Sequence, residues 1–140
     1  MERTIKILLI VAIGFFTLSS LGQENKSDKE FMLIFRNAYN PDFKPSPEQI
    51  KANIKEWKDW IGGIAGQGKF VSTNRVGFQG NIVSSKGTEN GIYKSENVSI
   101  GGYLILKSKS LEEAAKHAEG CPILKLGGSV EVREVMQINP

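Results

Sequence analysis

Arg36, Trp57, Trp60, His117 and Cys121 are the side chains whose chemistry and spacing offer something to build on. Cys121 is the only cysteine and His117 the only histidine. One of each excludes an intrachain disulfide and a tetrahedral Cys/His zinc centre. They stand four residues apart at the end of a helical pattern, with no third group to orient the imidazole, so a nucleophilic Cys–His pair is not expected. Cys121 reads instead as a small buried apolar residue, and His117 as a cation favoured by a helix C-terminus. Arg36 follows an apolar run and precedes a proline-rich loop. Its guanidinium suits bidentate capture of a carboxylate or phosphate. Its structural alternative is a pairing with Asp42, Glu131 or a chain carbonyl. Trp57 falls on the apolar stripe of a helix and belongs to the core. Trp60, at the edge of that stripe, is the better wall for a ligand pocket. Gly62-Gly63 and Gly66-x-Gly68 follow a helix and lack the strand-to-helix setting of a phosphate loop.

The chain has 140 residues, 40% hydrophobic and 24% charged, with a net charge of +3. That is one domain's length, and the small, scattered basic excess does not argue for nucleic acid. The first 22 residues form a separate unit. Arg3 and Lys6 precede an uncharged run from Ile7 to Leu18, and Ser20 and Gly22 supply small residues at the cleavage positions. The apolar run spans only about 18 Å as a helix, against about 30 Å for a bilayer core. A cleaved secretory signal over 1–22 is therefore expected, with cleavage after Gly22 and no stable membrane anchor afterwards. A periplasmic or secreted protein follows, with a flexible lead-in over 23–29 and one domain over 30–140.

Within the domain, Phe31–Phe35 is a continuous apolar run of strand length, read as a central strand. Ser46-Pro47-Glu48-Gln49 is a capping box with proline at the first helical position. Ile50, Ile54, Trp57, Ile61 and Ile64 follow as one apolar stripe, ending near Gln67. Residues 69–76 read as a strand, and 77–83 as a looped or bulged stretch. Asn90-Gly91 carries a hairpin-turn signal requiring positive φ at both central residues. Ile100–Leu106 is a second buried strand, whose Gly101 and Gly102 imply close approach of backbone or of a ring. Ser110-Leu111-Glu112-Glu113 is another capping box, and Gly120 and Pro122 stop that helix. Val130–Ile138 alternates as an outer strand.

The order strand, helix, strand, hairpin strand, helix, strand is the split βαβ pattern of a ferredoxin-like α+β sandwich, an antiparallel sheet with two helices on one face. One strand face is then left over. Met32 and Ile34 oppose Phe31, Leu33 and Phe35, and Tyr103 and Ile105 oppose Leu104 and Leu106. An uncovered apolar face of that size calls for a second copy, so a homodimer through the sheet faces is expected; the alternative is that the lead-in or the Gly77–Thr88 segment folds over that face.

Phe31–Arg36, Ser46–Gln49, Trp57-x-x-Trp60, Gly66–Lys69, Gly101-Gly102-Tyr103, Ser110–Ala114 and Gly127–Arg133 together resemble the YCII-related domain family, in its DGPF-type branch, over residues 30 to 138. The resemblance implies a ferredoxin-like fold that dimerises into an α/β barrel by apposing its sheets. Some members carry a His–Asp pair taken as an acid–base centre. Here the Asp-Gly-Pro-Phe motif reads Asn90-Gly91-Ile92-Tyr93, which keeps the glycine and an aromatic at the last position, and His117 lies on a helix. Arg36, Trp60 and Tyr93 are therefore the candidate ligand-binding residues, with no cofactor and no metal expected. The expected function is a dimeric small-ligand-binding module of the cell envelope. The alternative is a cofactor-independent enzyme acting on a small molecule in the barrel cavity.

Overall fold

The computed structural model describes residues 27–38 and 42–138. The expected signal peptide and most of the lead-in lie outside them. In chain order the elements are β1 (Lys29–Ala38), α1 (Pro47–Gly66), β2 (Phe70–Arg75), β3 (Asn81–Ser84), β4 (Gly87–Asn90), β5 (Val98–Ser108), α2 (Leu111–Ala118), a short 3-10 helix (Pro122–Leu126) and β6 (Ser129–Glu134). They form an α+β fold: two helices, a four-strand antiparallel sheet ordered β2-β5-β1-β6, and the separate hairpin β3-β4.

The two apolar runs become the two central strands, each hydrogen-bonded to a neighbour along both edges. β1 pairs with β5 from Lys29↔Ser108 to Ala38↔Val98, and with β6 from Phe31↔Glu134 to Arg36↔Ser129. Phe31, Leu33 and Phe35 of β1 and Leu104 and Leu106 of β5 point to one side and are buried there. Ile64, Ala114, Ala118, Cys121 and Ile123 complete this core, with Trp57, Trp60 and Ile61 packed against it. Both helices thus serve the same face of the sheet. Each large side chain so buried contributes about 1.5–3 kcal/mol relative to exposure.

Helix α1 begins as its sequence requires. The Gln49 amide donates to Ser46 Oγ at 3.3 Å, and the Ser46 amide donates to Gln49 Oε1 at 2.8 Å. The first half of its apolar stripe does not reach the core: Ile50 and Ile54 are 46% and 49% exposed. A helix of 20 residues is about 30 Å long, more than the buried side of the sheet can cover, so its opening turns overhang. Only half of the second capping box forms. The Glu113 amide donates to Ser110 Oγ at 3.2 Å, but the Glu113 carboxylate turns to the Lys109 amide and the Lys69 ammonium instead. An ammonium on a neighbouring strand end is a stronger partner than the cap's own amide.

The hairpin turns also differ from expectation. Asn90-Gly91 is not a turn centre, because Asn90 is the last residue of β4 and pairs with Asn81. The β3–β4 turn falls at Ser85-Lys86, and the two-residue turn with positive φ at both centres lies at Glu96-Asn97, with φ of 50° and 65°. Ser95 and Val98 exchange both backbone hydrogen bonds across it, which is type I′ geometry. The last strand is shorter than its alternation suggests. β6 stops at Glu134, opposite Phe31, since β1 extends only two residues further, and Met136 and Ile138 are left exposed.

Candidate functional site

At the end of β1 that holds Arg36, the β1–β5 register shifts. Phe35 faces Gly102 and Arg36 faces Ile100, which leaves Gly101 as the extra residue of a bulge. The expected close approach is found here. A Cβ on Gly102 would lie 2.6 Å from the Asn74 carbonyl oxygen of β2, and one on Gly101 would collide with the Asn37 side-chain oxygen. Bulges re-aim side chains. Arg36 and Ile100 lie on the face away from the helices, whereas Asn37 and Ser99, opposite one another, alternate to the helix side. There Asn37 Oδ1 and Ser99 Oγ are buried without a hydrogen-bond partner among the described residues.

Arg36 is held across the sheet by β6. Its Nε and Nη2 donate to Glu131 Oε2 at 2.9 and 2.6 Å. Glu131 Oε1 lies 3.7 Å from Arg133 Nη1, so two guanidinium groups share one carboxylate. All three groups are part-exposed, and the pairing fixes geometry more than it stabilises the fold.

The chain between the hairpin and β5 closes over this end. The Gly91 amide donates to the Gly80 carbonyl at 2.8 Å, clamping the base of the hairpin, and Gly91 takes a φ of +133° that favours glycine. Ile92 and Tyr93 then pass beside Arg36. The result is a pocket of about 340 Å³ walled by Arg36, Val76, Ile92, Tyr93, Val98 and Ile100, with Gly77, Ser95 and Ser99 completing it. Two of the three residues expected at a ligand site, Arg36 and Tyr93, therefore meet. Val76, Val98 and Ile100, which share the apolar wall with Ile92, are ordinary β-formers whose sequence carries no mark of a site.

Trp60 does not join them. It lies on the opposite face of the sheet, edge-to-face with Phe35 and Trp57 at centroid distances of 6.0 and 5.6 Å. Its indole N–H donates to the His117 carbonyl at 3.0 Å, and Gly120 leaves room for its ring, since a Cβ there would stand 3.2 Å from Trp60 Cδ1. The indole is a part-buried tie between helices, with its polar tip satisfied internally.

His117, Glu113 and Cys121 do not line the pocket. Burial and, after it, the nearby Lys69 charge lower the pKa of His117, while the Glu113 carboxylate opposes them. Glu113 is held down to about 2 by the Lys69 ammonium and the Lys109 amide. Burial pushes the Cys121 thiol up to about 11. Among the described residues, no group of three or more His, Cys, Asp or Glu is placed to hold a metal ion.

No protein-family model matches this chain, and no curated protein matches it significantly.

Proposed function

We propose that this protein is an exported, homodimeric small-ligand-binding module of the YCII-related family, with a ferredoxin-like subunit and a binding pocket beside Arg36. The observation that carries the reading is the meeting of Arg36 and Tyr93 in one pocket of about 340 Å³. That volume lies in the range of small-molecule sites, and its composition, mostly apolar with a guanidinium and a phenol, is what such sites use to bury and orient a ligand. Family membership is supported by the number and order of the motifs; the DGPF-type segment, here Asn90-Gly91-Ile92-Tyr93, departs from the family's signature and keeps only its glycine and a final aromatic. The ferredoxin-like reading is supported by the strand order β2-β5-β1-β6, in which the first and third main strands are central.

Dimerisation is supported by the outer face of the sheet, where Met32, Ile34, Tyr103 and Ile105 are half-buried and neither helix covers them. Export is supported by the charged start, short apolar run and small residues of 1–22.

A thermal-shift screen against small metabolites tests the binding function, because a ligand that binds only the folded chain raises its melting temperature. A hit should shift the wild type and lose its effect in Ile100→Trp, which fills the pocket from a partly exposed position. A hit that stabilises both proteins equally would place binding elsewhere.

A further inference from the structure

The ligand class follows from how the charge at the pocket is already spent. A guanidinium has five N–H donors in a planar fork. Arg36 commits Nε and one donor of Nη2 to Glu131 Oε2, which leaves the donors of Nη1 and the second of Nη2 for a ligand in the pocket that Arg36 lines. The chain Arg36–Glu131–Arg133 carries two positive charges against one negative, a surplus of one. Facing it, Val76, Ile92, Val98 and Ile100 offer hydrocarbon and Tyr93 a ring with a hydroxyl. A group that balances one charge, accepts a planar fork and leaves an apolar remainder to bury fits all of these at once.

We propose that the pocket takes a small monocarboxylate with an apolar or aromatic body. At about 30 Å³ for each water-sized group, 340 Å³ admits a molecule of about ten non-hydrogen atoms. The carboxylate sits on the free edge of Arg36 and the body lies against Ile92, Val98 and Ile100. Glu131 acts as an internal competitor that orients the guanidinium and tempers its pull. A phosphate dianion is disfavoured, because it brings one charge more than the Arg36–Glu131–Arg133 chain balances and cannot use the apolar wall. This assignment rests on the pocket reading given above and specifies its ligand.

The probes are phenylacetate, its neutral isostere phenylacetamide, and inorganic phosphate. They are titrated into the mature protein while the methyl resonances of Ile92 and Ile100 are followed by NMR. Phenylacetate is expected to move both resonances and to bind about tenfold or more tighter than the amide, since hydrogen bonds to a charged acceptor are the stronger ones. Arg36→Met should abolish the preference for the acid, and Glu131→Gln, which removes the competing carboxylate but keeps Arg36, should tighten acid binding. Equal affinity for acid and amide, weaker acid binding in Glu131→Gln, or tighter binding of phosphate than of phenylacetate would each overturn the carboxylate assignment while leaving the pocket standing. If none of the probes moves the Ile92 and Ile100 resonances at millimolar concentration, the pocket reading falls as well.

Discussion

The indole nitrogen of Trp60 donates to the main-chain carbonyl of His117 at 3.0 Å, tying the middle of the long helix to the last turn of the short one. The bond satisfies one of the orphan carbonyls at a helix C-terminus. Trp60→Phe keeps most of the ring packing and removes the donor. It should lower stability by about 1–2 kcal/mol, measured by urea unfolding followed through Trp57 fluorescence. An unchanged midpoint would show that the bond adds nothing to the fold.

Gly102 is forced by geometry. In Gly102→Ala the new methyl group would meet the Asn74 carbonyl at 2.6 Å inside a central strand, where neither backbone can move without breaking the ladder. A loss of about 1–3 kcal/mol is expected, as for other overpacked sites. Denaturant melts of the two proteins decide it. A variant as stable as the wild type would mean that β2 yields freely.

Glu113 sets part of the acid limb of stability. Its pKa is about 2 in the fold against 4.5 for an unperturbed glutamate, so the folded chain binds the proton less readily than the unfolded one. The resulting stabilisation is complete above about pH 4.5 and is lost as pH falls toward 2. With solvent screening of this part-exposed pair it amounts to about 1 kcal/mol or less. Glu113→Gln should be less stable at neutral pH and should show a flatter decline between pH 4.5 and 2, read from melting temperatures across that range. Parallel curves for variant and wild type would contradict the assignment.

Cys121 should be inert while the chain is folded. It is 2% exposed and its thiol is raised to about 11, so both access and thiolate are scarce at pH 8. A disulfide reagent should label the native protein far more slowly than the urea-unfolded one. Rapid labelling of the folded chain would point to a reactive thiol.

The proposed dimer makes the outer face of the sheet sensitive to charge. Ile105→Lys places an ammonium beside Met32, its partner on β1, without touching the helix-side core. Light scattering at micromolar concentration should give two chains for the wild type and one for the variant. A concentration-independent single-chain mass for the wild type would remove the dimer.

Local and pairwise physics made much of the chain legible before folding. Ser46 and Gln49 cap the first helix as read, because a capping box involves only residues three apart. The two apolar runs became the central strands, each hydrogen-bonded to a neighbour along both edges. Arg36 was marked by its type and its place after an apolar run, and Tyr93 by its place at the end of the DGPF-type segment. Tertiary structure decided what depends on lengths and distant partners. How much of the stripe from Ile50 to Ile64 is buried depends on the extent of sheet beneath it, and where β6 ends depends on where β1 runs out. Glu113 left its cap for Lys69, a partner 44 residues away. Asn90-Gly91 gave up the hairpin turn because Asn90 pairs with Asn81, and the positive-φ turn passed to Glu96-Asn97. Trp60 and Arg36 were both candidates in the sequence, yet one β-strand separates them: its alternation sends Phe35 toward the tryptophan and Arg36 to the opposite face. Only the fold could make that division, because it follows from which side of β1 the helices occupy.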